Sequence, residues 1–416
     1  MCCKNNNAIE IFVLNKLVYK FCIFSYTNSF YHVFLVFLQI LGFGRGAWWK
    51  METKNKYVAF IYKLAEYIIY LAPICFGTQI LYIYSHFHDM EFETMGVIYA
   101  ITFIALTINI KWACREKQSY KRTMKGFLDE LHVYNCHIKE PSNNFIRQRM
   151  IRVERLSRMT FLFIFLCLFV DWVAWTLIPF VHYLQNADLV REKKVKLLTC
   201  LYFWTPFDYT YNVRNWIIMH TVDSLLCLLA DILTTVFESF TFFCIYHLIA
   251  HLEIFKNNIE VVFSTKMTDR QIEEELIKII KNYGFITHVS EFQSAFGLNI
   301  TAVYFQNLFV DSVLLYQLMI GVRINLKYVL YMGGLILMSF ILEEIRRQSD
   351  DIPDIIYSLP WEDMSPKNKQ LLLMILVKVQ PTMIFKSAGG LRTGVQPMIS
   401  ILKSTFSYYV MLKSSL

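Results

Sequence analysis

The sequence predicts an all-α membrane protein with seven transmembrane helices, and two observations lead to this fold class. Hydrophobic residues make up 56% of the 416 residues and charged residues only 18%, whereas soluble domains contain about 45–50% and about 25%. A helical span needs roughly 20 mostly apolar residues, so a long run without Asp, Glu, Lys or Arg predicts the centre of a span. Such runs occur at 67–85, 94–110, 159–170, 292–310 and 328–342.

These five runs, some of which continue past a charge, and two further apolar segments predict seven spans in one domain covering residues 1–416. The spans are expected near 63–85, 93–112, 157–184, 213–250, 283–321, 326–347 and 391–412. At 1.5 Å per residue the fourth and fifth exceed a ~30 Å hydrocarbon core, so both should project beyond it. A shorter apolar run at 30–43 predicts a re-entrant or interfacial helix rather than a full span. The charged, amphipathic segment 364–385 predicts a cytoplasmic anchor helix packed on the projecting helices.

Basic residues between the predicted spans indicate the orientation. Twelve Lys and Arg residues lie between Lys111 and Arg158, after the second span, whereas the connection 86–93 has none. By the positive-inside rule, the connection between spans two and three is cytoplasmic. The sequence therefore predicts a cytoplasmic N-terminus and an extracellular C-terminus, opposite to a G-protein-coupled receptor. Residues 1–29 lack the uninterrupted apolar core and small-residue cleavage site of a signal peptide.

The last predicted span carries a polar stripe. Ser400, Lys403, Ser404, Ser407 and Met411 are 3, 1, 3 and 4 residues apart, so they share one helix face. A lysine in mid-span is costly unless it meets water or an acid. One explanation is a lysine that snorkels or is paired within a single subunit. The favoured explanation is that several copies around an axis line a water-filled pore.

Acidic residues also occur inside the predicted spans. Asp171 lies in the third, and Asp223, Asp231 and Glu238 lie 8 and 7 residues apart in the fourth, so the latter three form one stripe. They predict a polar cavity or a subunit contact. For each acid taken singly, hydrogen bonding inside the bundle is slightly favoured.

No motif predicts an enzyme or a cofactor site. The sequence has no nucleophile elbow and no Walker loop, and its ten cysteines include no C-x-x-C pair. His247 and His251 are four residues apart, but no third metal ligand stands out beside them. We therefore expect no catalytic residue, no bound metal and no cofactor. The net charge of +8 is attributed to membrane topology, and no nucleic-acid partner is expected.

The C-terminal region resembles the signature of insect odorant receptors. The matching features are Gln348-Ser349, IIYSLPW ending at Trp361, LLLMILVKVQPTMIFKSAGG, and Ser407-Tyr408 followed by a leucine four residues later. The resemblance implies a seven-helix receptor that is itself a ligand-gated, non-selective cation channel. It further implies four subunits around a pore lined by the last helix, joined by an intracellular anchor.

The resemblance also implies a gate position and a kind of subunit. The narrow gate of the family aligns with Met411 and Ser415, and the family's co-receptor has a leucine where this chain has Ser415. That co-receptor carries a long insertion between spans four and five, where the connection here, 256–270, is short. We therefore expect an odour-specific subunit that assembles with the co-receptor as a heterotetramer. The expected location is the plasma membrane of olfactory neuron dendrites.

In the family the ligand site lies in the outer half of the bundle, between spans two, three, four and six. A volatile ligand requires a mostly apolar, aromatic cavity with few polar groups. Each aromatic side chain taken alone is at least as consistent with packing or lipid contact. The candidate ligand-binding residues are Tyr99, Phe103, Trp172, Trp175, Met219, His220, Tyr328 and Tyr331.

Three other classes of protein fit the sequence less well. A gustatory-type receptor shares the architecture and is disfavoured by the tail sequence SYYVMLKS. A G-protein-coupled receptor is disfavoured by the predicted orientation. A transporter would show paired broken helices or inverted repeats, and the sequence shows neither.

Overall fold

The protein is an assembly of α-helices in the computed structural model, which describes residues 29–41, 55–88, 92–127, 131–139, 142–263, 267–290, 293–319 and 326–414. These residues contain no β-strand and only an isolated β-bridge between Lys386 and Arg392. The predicted all-α fold class is therefore confirmed. The helices are α1 (Ser29–Ile40), α2 (Lys56–Tyr70), α3 (Ala72–His86), α4 (Phe92–Glu116), α5 (Gln118–Gly126), α6 (Tyr134–Lys139), α7 (Asn144–Arg191), α8 (Val213–Val262), α9 (Asp269–Ser290), α10 (Gln293–Met319), α11 (Leu326–Tyr357), α12 (Pro366–Val379) and α13 (Val395–Ser414).

The chain forms two compact units that meet in sequence between Ile68 and Ile69. The first contains α1 and most of α2. With 12 residues, α1 is about 18 Å long and too short to cross a ~30 Å core. It coincides with the predicted re-entrant helix 30–43, whose residues 42 and 43 lie outside the described part. The second unit contains α3 to α13 and both cavities described below.

Two long helices, α7 and α8, form the centre of the second unit. They have 48 and 50 residues, or about 72 and 75 Å, so each projects far beyond a bilayer core. An asparagine caps the N-terminus of each helix. The side chains of Asn143 and Asn212 accept hydrogen bonds from backbone N–H groups of the first helical turn. Helices α4, α7, α9 and α11 all pack against α8. The α8 segment 235–248 is almost entirely buried.

Helices α9, α11 and α12 pack together beside the projecting end of α8. Ser365 caps α12, and Pro366 occupies its first turn, where a missing N–H costs nothing. The Lys367 Nζ atom lies 2.6 Å from Glu273 Oε1 of α9. The segment predicted as an anchor, 364–385, is helical only over Pro366–Val379, because Pro381 stops the helix.

Three described stretches are long and apolar enough to cross a membrane: Lys56–His86, Asn144–Arg191 and Val213–Val262. The remaining predicted spans coincide with α4, with α9 and α10 together, with α11 and with α13. The count of seven spans and the orientation of the termini stay predictions.

Candidate ligand-binding cavity and pore helix

A cavity of about 100 Å³ lies among α3, α4, α7, α8, α11 and the connection 192–212, here called the outer cavity. Its wall is mostly apolar, which suits a small organic ligand. The most polar lining side chains are Gln79, Asn109, Asp231 and Thr234, while a tryptophan, a tyrosine and three cysteines add an indole N–H, a hydroxyl and thiols. The other lining residues are Ala72, Cys75, Phe76, Ile101, Ile104, Ala105, Ile108, Trp175, Cys200, Leu201, Phe203, Leu226, Cys227, Ala230 and Tyr331.

The connection 192–212 forms one wall of this cavity and is tied to the helices around it. The Trp204 backbone N–H donates to the Thr78 carbonyl of α3 at 3.1 Å. The indole N–H of the fully buried Trp216, on α8, donates to the Leu198 carbonyl at 2.6 Å. These bonds hold the connection against both helices, so Cys200, Leu201 and Phe203 have fixed places in the cavity wall.

A turn centred on Asp208 stabilises the same connection. The Asp208 carboxylate accepts hydrogen bonds from the Thr210 backbone N–H at 2.8 Å, the Thr210 hydroxyl at 2.7 Å and the Tyr211 backbone N–H at 3.3 Å. Partial burial acts to raise the pKa of Asp208, but these hydrogen bonds to the charged form leave the pKa below its ordinary value. The carboxylate therefore stays ionised, and its three hydrogen bonds stabilise the turn.

Trp175 and Tyr331 are the two predicted ligand-binding residues that line the outer cavity. The Trp175 carbonyl accepts a hydrogen bond from the Cys200 thiol at 3.0 Å, which joins α7 to the connection. Tyr331 also packs on a small cluster formed by Ala100 and Val310. The structure thus brings these two aromatic residues together from distant parts of the chain.

Other predicted ligand-binding residues lie elsewhere. The Trp172 indole N–H donates to the Ser224 carbonyl at 2.9 Å. The His220 ring is stacked on Trp216 at 5.2 Å, and its Nε2 lies 3.0 Å from the Thr176 carbonyl. Both side chains join α7 to α8.

The remaining four are distributed over the bundle. Phe103 stacks on Phe309 with ring centroids 5.0 Å apart. Tyr99 is 38% exposed, and Met219 is half-buried outside the cavity wall. The side chain of Tyr328 lies outside the described part of the structure.

The first predicted span supplies cavity residues that lie outside the predicted ligand site. Cys75, Phe76 and Gln79 of α3 line the cavity, although the predicted site used only spans two, three, four and six. One signal was available, because Gln79 is a large polar residue inside the uncharged run 67–85, and such residues turn towards the protein interior. Residues of the connection 192–212 follow no helical period, so no pattern identifies them.

A second cavity of about 70 Å³, here called the inner cavity, shares Thr234 and Tyr331 with the outer one. It is bordered by α4, α7, α8, α10 and α11. Its wall contains an ion pair in which Lys111 Nζ lies 2.7 Å from Glu238 Oε1. Glu238 was predicted as an interior acid or a cavity residue, and here it is both paired and cavity-lining.

The other intramembrane acids occupy separate surroundings. Asp231 borders the outer cavity, whereas Asp171 and Asp223 are buried at 5% and 0% exposure and line neither cavity. Asp311 of α10 is also fully buried, and neither of its oxygens accepts a hydrogen bond from a described residue.

The last helix, α13, presents different faces to the protein and to its surroundings. Met398, Thr405 and Tyr409 are buried at 6%, 1% and 7% exposure, and α13 packs on α10 and α11. Since these three are seven and four residues apart, they define one face of the helix.

The polar stripe of α13 lies opposite this buried face. Ser400, Lys403, Ser407 and Met411 are exposed, and Ser404 is half-buried. At 100° per residue, Ser407 lies about 180° around the helix axis from the midpoint between Thr405 and Tyr409. No described acid pairs with Lys403. Ser415, predicted to lie at the gate, is outside the described residues.

The first turn of α13 is fixed by α10 and α11. The Val395 backbone N–H donates to Glu343 Oε2 at 3.4 Å, and the Gly394 N–H donates to the Tyr304 hydroxyl at 3.3 Å. A carboxylate is favourable at a helix N-terminus. Gly394 has a φ of +115°, and an added Cβ would lie 2.6 Å from Glu343 Oε2, so only glycine fits this junction.

Histidines 247 and 251 make backbone contacts. His247 Nδ1 lies 2.8 Å from the Phe243 carbonyl, and His251 Nε2 lies 2.7 Å from the Leu131 carbonyl. Across the described ranges, no group of three or more His, Cys, Asp or Glu side chains is arranged to hold a metal ion.

Comparisons with known proteins agree with this architecture. The family model "7tm Odorant receptor" matches residues 89–406, well over half of the chain. No curated protein sequence matches. The fold is similar to the insect olfactory receptor OR5 from Machilis hrabei in complex with eugenol, with a TM-score of 0.70, 14% identity, and coverage of 92% of this chain and 97% of that chain.

A second structure of the same Machilis hrabei receptor gives a TM-score of 0.70 and 14% identity, covering 93% of this chain and 98% of that one. At 14% identity the structural similarity shows the fold, and the match to the family model shows the protein family. The protein is a membrane receptor rather than an enzyme, and it belongs to the 7tm odorant receptor family.

Proposed function

We propose that this protein is an odour-binding subunit of a ligand-gated, non-selective cation channel in the plasma membrane. The observation that carries the proposal is the geometry of α13. Its hydroxyl-bearing and lysine-bearing face points away from the face that is buried in its own subunit. Several subunits arranged around an axis would bring this face to a shared aqueous pore, where Lys403 would be hydrated rather than held in lipid.

The outer cavity is the proposed ligand site. Its apolar wall and few polar groups suit a small volatile molecule. One of the structurally similar receptors is in complex with eugenol, so this fold accommodates a small organic ligand. Trp175 and Tyr331 are the predicted residues we retain in the site.

Channel opening is proposed as a population shift between two arrangements of the bundle. A ligand favours the arrangement to which it binds more tightly. Tyr331 of α11 borders both cavities, and α11 packs on α13, so a ligand in the outer cavity lies one helix away from the pore helix. The open arrangement is the one in which the outer ends of α13, near Met411, move apart.

Assembly is proposed to involve the odorant co-receptor in a heterotetramer. The supporting observation is an exposed apolar face on α12, where Leu373, Met374 and Val377 are 61%, 64% and 60% exposed. An uncovered patch of large apolar side chains on a helix outside the lipid marks a protein contact. The basic residues at the start of α7, from Arg147 to Arg158, support a cytoplasmic position for this end of the molecule.

The experiment that tests this function is whole-cell recording from cells that express the chain with and without an insect odorant co-receptor. A panel of volatiles is applied while G-protein signalling is blocked. A rapid, volatile-evoked cation current that requires both subunits is the expected result. A response that disappears when G proteins are blocked would contradict both the orientation and the channel assignment.

A further inference from the structure

Two amide oxygens beside the outer cavity have no hydrogen-bond partner among the described residues: Gln79 Oε1 and Asn109 Oδ1. Gln79 is only 3% exposed, and both residues line the cavity. A buried carbonyl oxygen normally accepts at least one hydrogen bond. Both amides therefore retain an unused capacity to accept one, in two residues that form part of the cavity wall.

The orientation of the Asn109 amide is determined by its nitrogen. Asn109 Nδ2 donates to the Ala105 carbonyl one helical turn earlier, at 2.8 Å. Turning the amide over would place its oxygen against that carbonyl oxygen, which repels it. The oxygen is thus the atom left for another partner. Gln79 belongs to α3, which packs against α4, so the two amides come from neighbouring helices.

Among the remaining polar groups, the Asp231 carboxyl favours the same ligand chemistry, whereas the hydroxyls of Thr234 and Tyr331 can donate as well as accept. The carboxyl group of Asp231 lies in the same wall and supplies further acceptor oxygens. The Cys200 thiol, a weak donor, already donates to the Trp175 carbonyl at 3.0 Å. A cavity of about 100 Å³ is somewhat smaller than the ~150 Å³ cavities that hold benzene, so a compact ligand is required.

We propose, resting on the function proposed above, that the outer cavity selects compact apolar molecules that carry a hydrogen-bond donor, a hydroxyl or an amine. The amide oxygens of Gln79 and Asn109 are the acceptors. A ligand without a donor would enter the same apolar volume but leave these buried oxygens unpaired. Sites built to hydrogen-bond a ligand group discriminate against analogues that lack it.

The test uses matched trios that share one carbon skeleton: an alcohol, its methyl ether and the corresponding primary amine. Aliphatic and aromatic skeletons close to benzene in size are applied to cells that express the receptor with the co-receptor. In every trio that evokes current, the alcohol or the amine is expected to act at about tenfold lower concentration than the ether.

Two variants assign this preference to the amides. An alcohol has one O–H to donate, so at least one of Gln79→Leu and Asn109→Leu is expected to weaken the response to the donor-bearing ligand by about tenfold and to leave the ether response unchanged. Phe76→Leu, on the same helix as Gln79 and in the same cavity wall, is the matched control. It changes the cavity shape without touching an amide, so both ligands should shift in the same direction. Asp231→Asn separates the contribution of the Asp231 carboxylate from that of the two amides. It should weaken the response to a cationic amine more than the response to an alcohol.

The outcomes separate this inference from the proposed function. Volatile-evoked current with ethers as effective as alcohols and amines, or a preference that survives both leucine variants, would overturn the inference and leave the channel assignment standing. If Gln79→Leu does not reach the cell surface, Asn109→Leu and Gln79→Met provide the same comparison. Absence of any volatile-evoked current would overturn the proposed function.

Discussion

The amino group of Lys111 lies 2.7 Å from Glu238 Oε1, and only 4% and 15% of the two side chains are exposed. The pair joins α4 to α8 beside the inner cavity. A buried charge is tolerated only when it is paired or hydrated. This contact therefore explains how the chain keeps a lysine and a glutamate in otherwise apolar surroundings.

Removal of one member of this pair should destabilise the protein strongly. Lys111→Met or Glu238→Leu leaves a buried charge without its partner, at a cost of about 3–5 kcal/mol. The double variant removes both charges and should unfold closer to the wild-type temperature than either single variant. Thermal unfolding of purified receptor, together with surface abundance, is the measurement. A double variant as unstable as the sum of the two single variants would show that the ions do not act as a pair.

Filling the outer cavity should weaken ligand responses without preventing folding. Ala230 lines the cavity, and Ala230→Leu adds three carbons to a volume that holds only a compact molecule. The concentration for half-maximal current should rise more than tenfold, a loss above about 1.4 kcal/mol of binding. Leu225→Phe is the control, because Leu225 of the same helix is 46% exposed. Equal responses from both variants would place the ligand elsewhere.

The sequence predicts the helices well because hydrophobic runs have a clear physical meaning in a bilayer. The helical fold and the family were both predictable, the first from composition and the second from motifs around Trp361 and Ser407. The shared exposure of Ser400, Lys403 and Ser407 on α13 was also predictable, since their spacing places them on one helix face. These features depend on local sequence or on a single helical period.

The cavity was less predictable because it depends on how helices distant in sequence pack together. Phe103 and Trp172 are aromatic residues of two helices that line the cavity, yet Phe103 stacks on Phe309 and the Trp172 indole donates a hydrogen bond to α8. The rotation of each helix about its own axis decides which side chains face a cavity. Mean hydropathy along the sequence does not reveal that rotation. Residues from the connection 192–212 depend on backbone hydrogen bonds such as Trp204 to Thr78, which no sequence period encodes.

A charge on the exposed apolar face of α12 should prevent assembly with the co-receptor. Leu373 is 61% exposed, so Leu373→Glu should not disturb the subunit itself but would place a carboxylate in a desolvated interface. Co-purification of the tagged subunits should fall at least tenfold. Lys378→Glu, which changes an exposed charge on the same helix, is the matched control and should assemble normally. Undiminished co-purification of Leu373→Glu would exclude this face from the interface.

Substitution of Gly394 should disrupt the start of α13. Gly394→Ala forces a side chain onto a residue with φ of +115° and places Cβ 2.6 Å from Glu343 Oε2, at a cost of about 1–3 kcal/mol. Surface abundance should fall several-fold. Gly284→Ala is the control, because Gly284 lies within α9 with open space around it, and alanine favours a helix there. Normal surface abundance of the Gly394→Ala variant would show that the backbone before α13 accommodates a side chain at this position.

Cysteine accessibility on α13 tests the central claim most directly. Ser407→Cys and Thr405→Cys are compared during volatile-evoked current, with a membrane-impermeant, charged thiol reagent and the unsubstituted receptor as reference. Ser407 is on the exposed stripe and Thr405 is 1% exposed. Reduction of current in Ser407→Cys, with Thr405→Cys behaving like the reference, is the predicted result. Current that is insensitive to the reagent in Ser407→Cys, or is reduced equally in both variants, would contradict a pore lined by this helix.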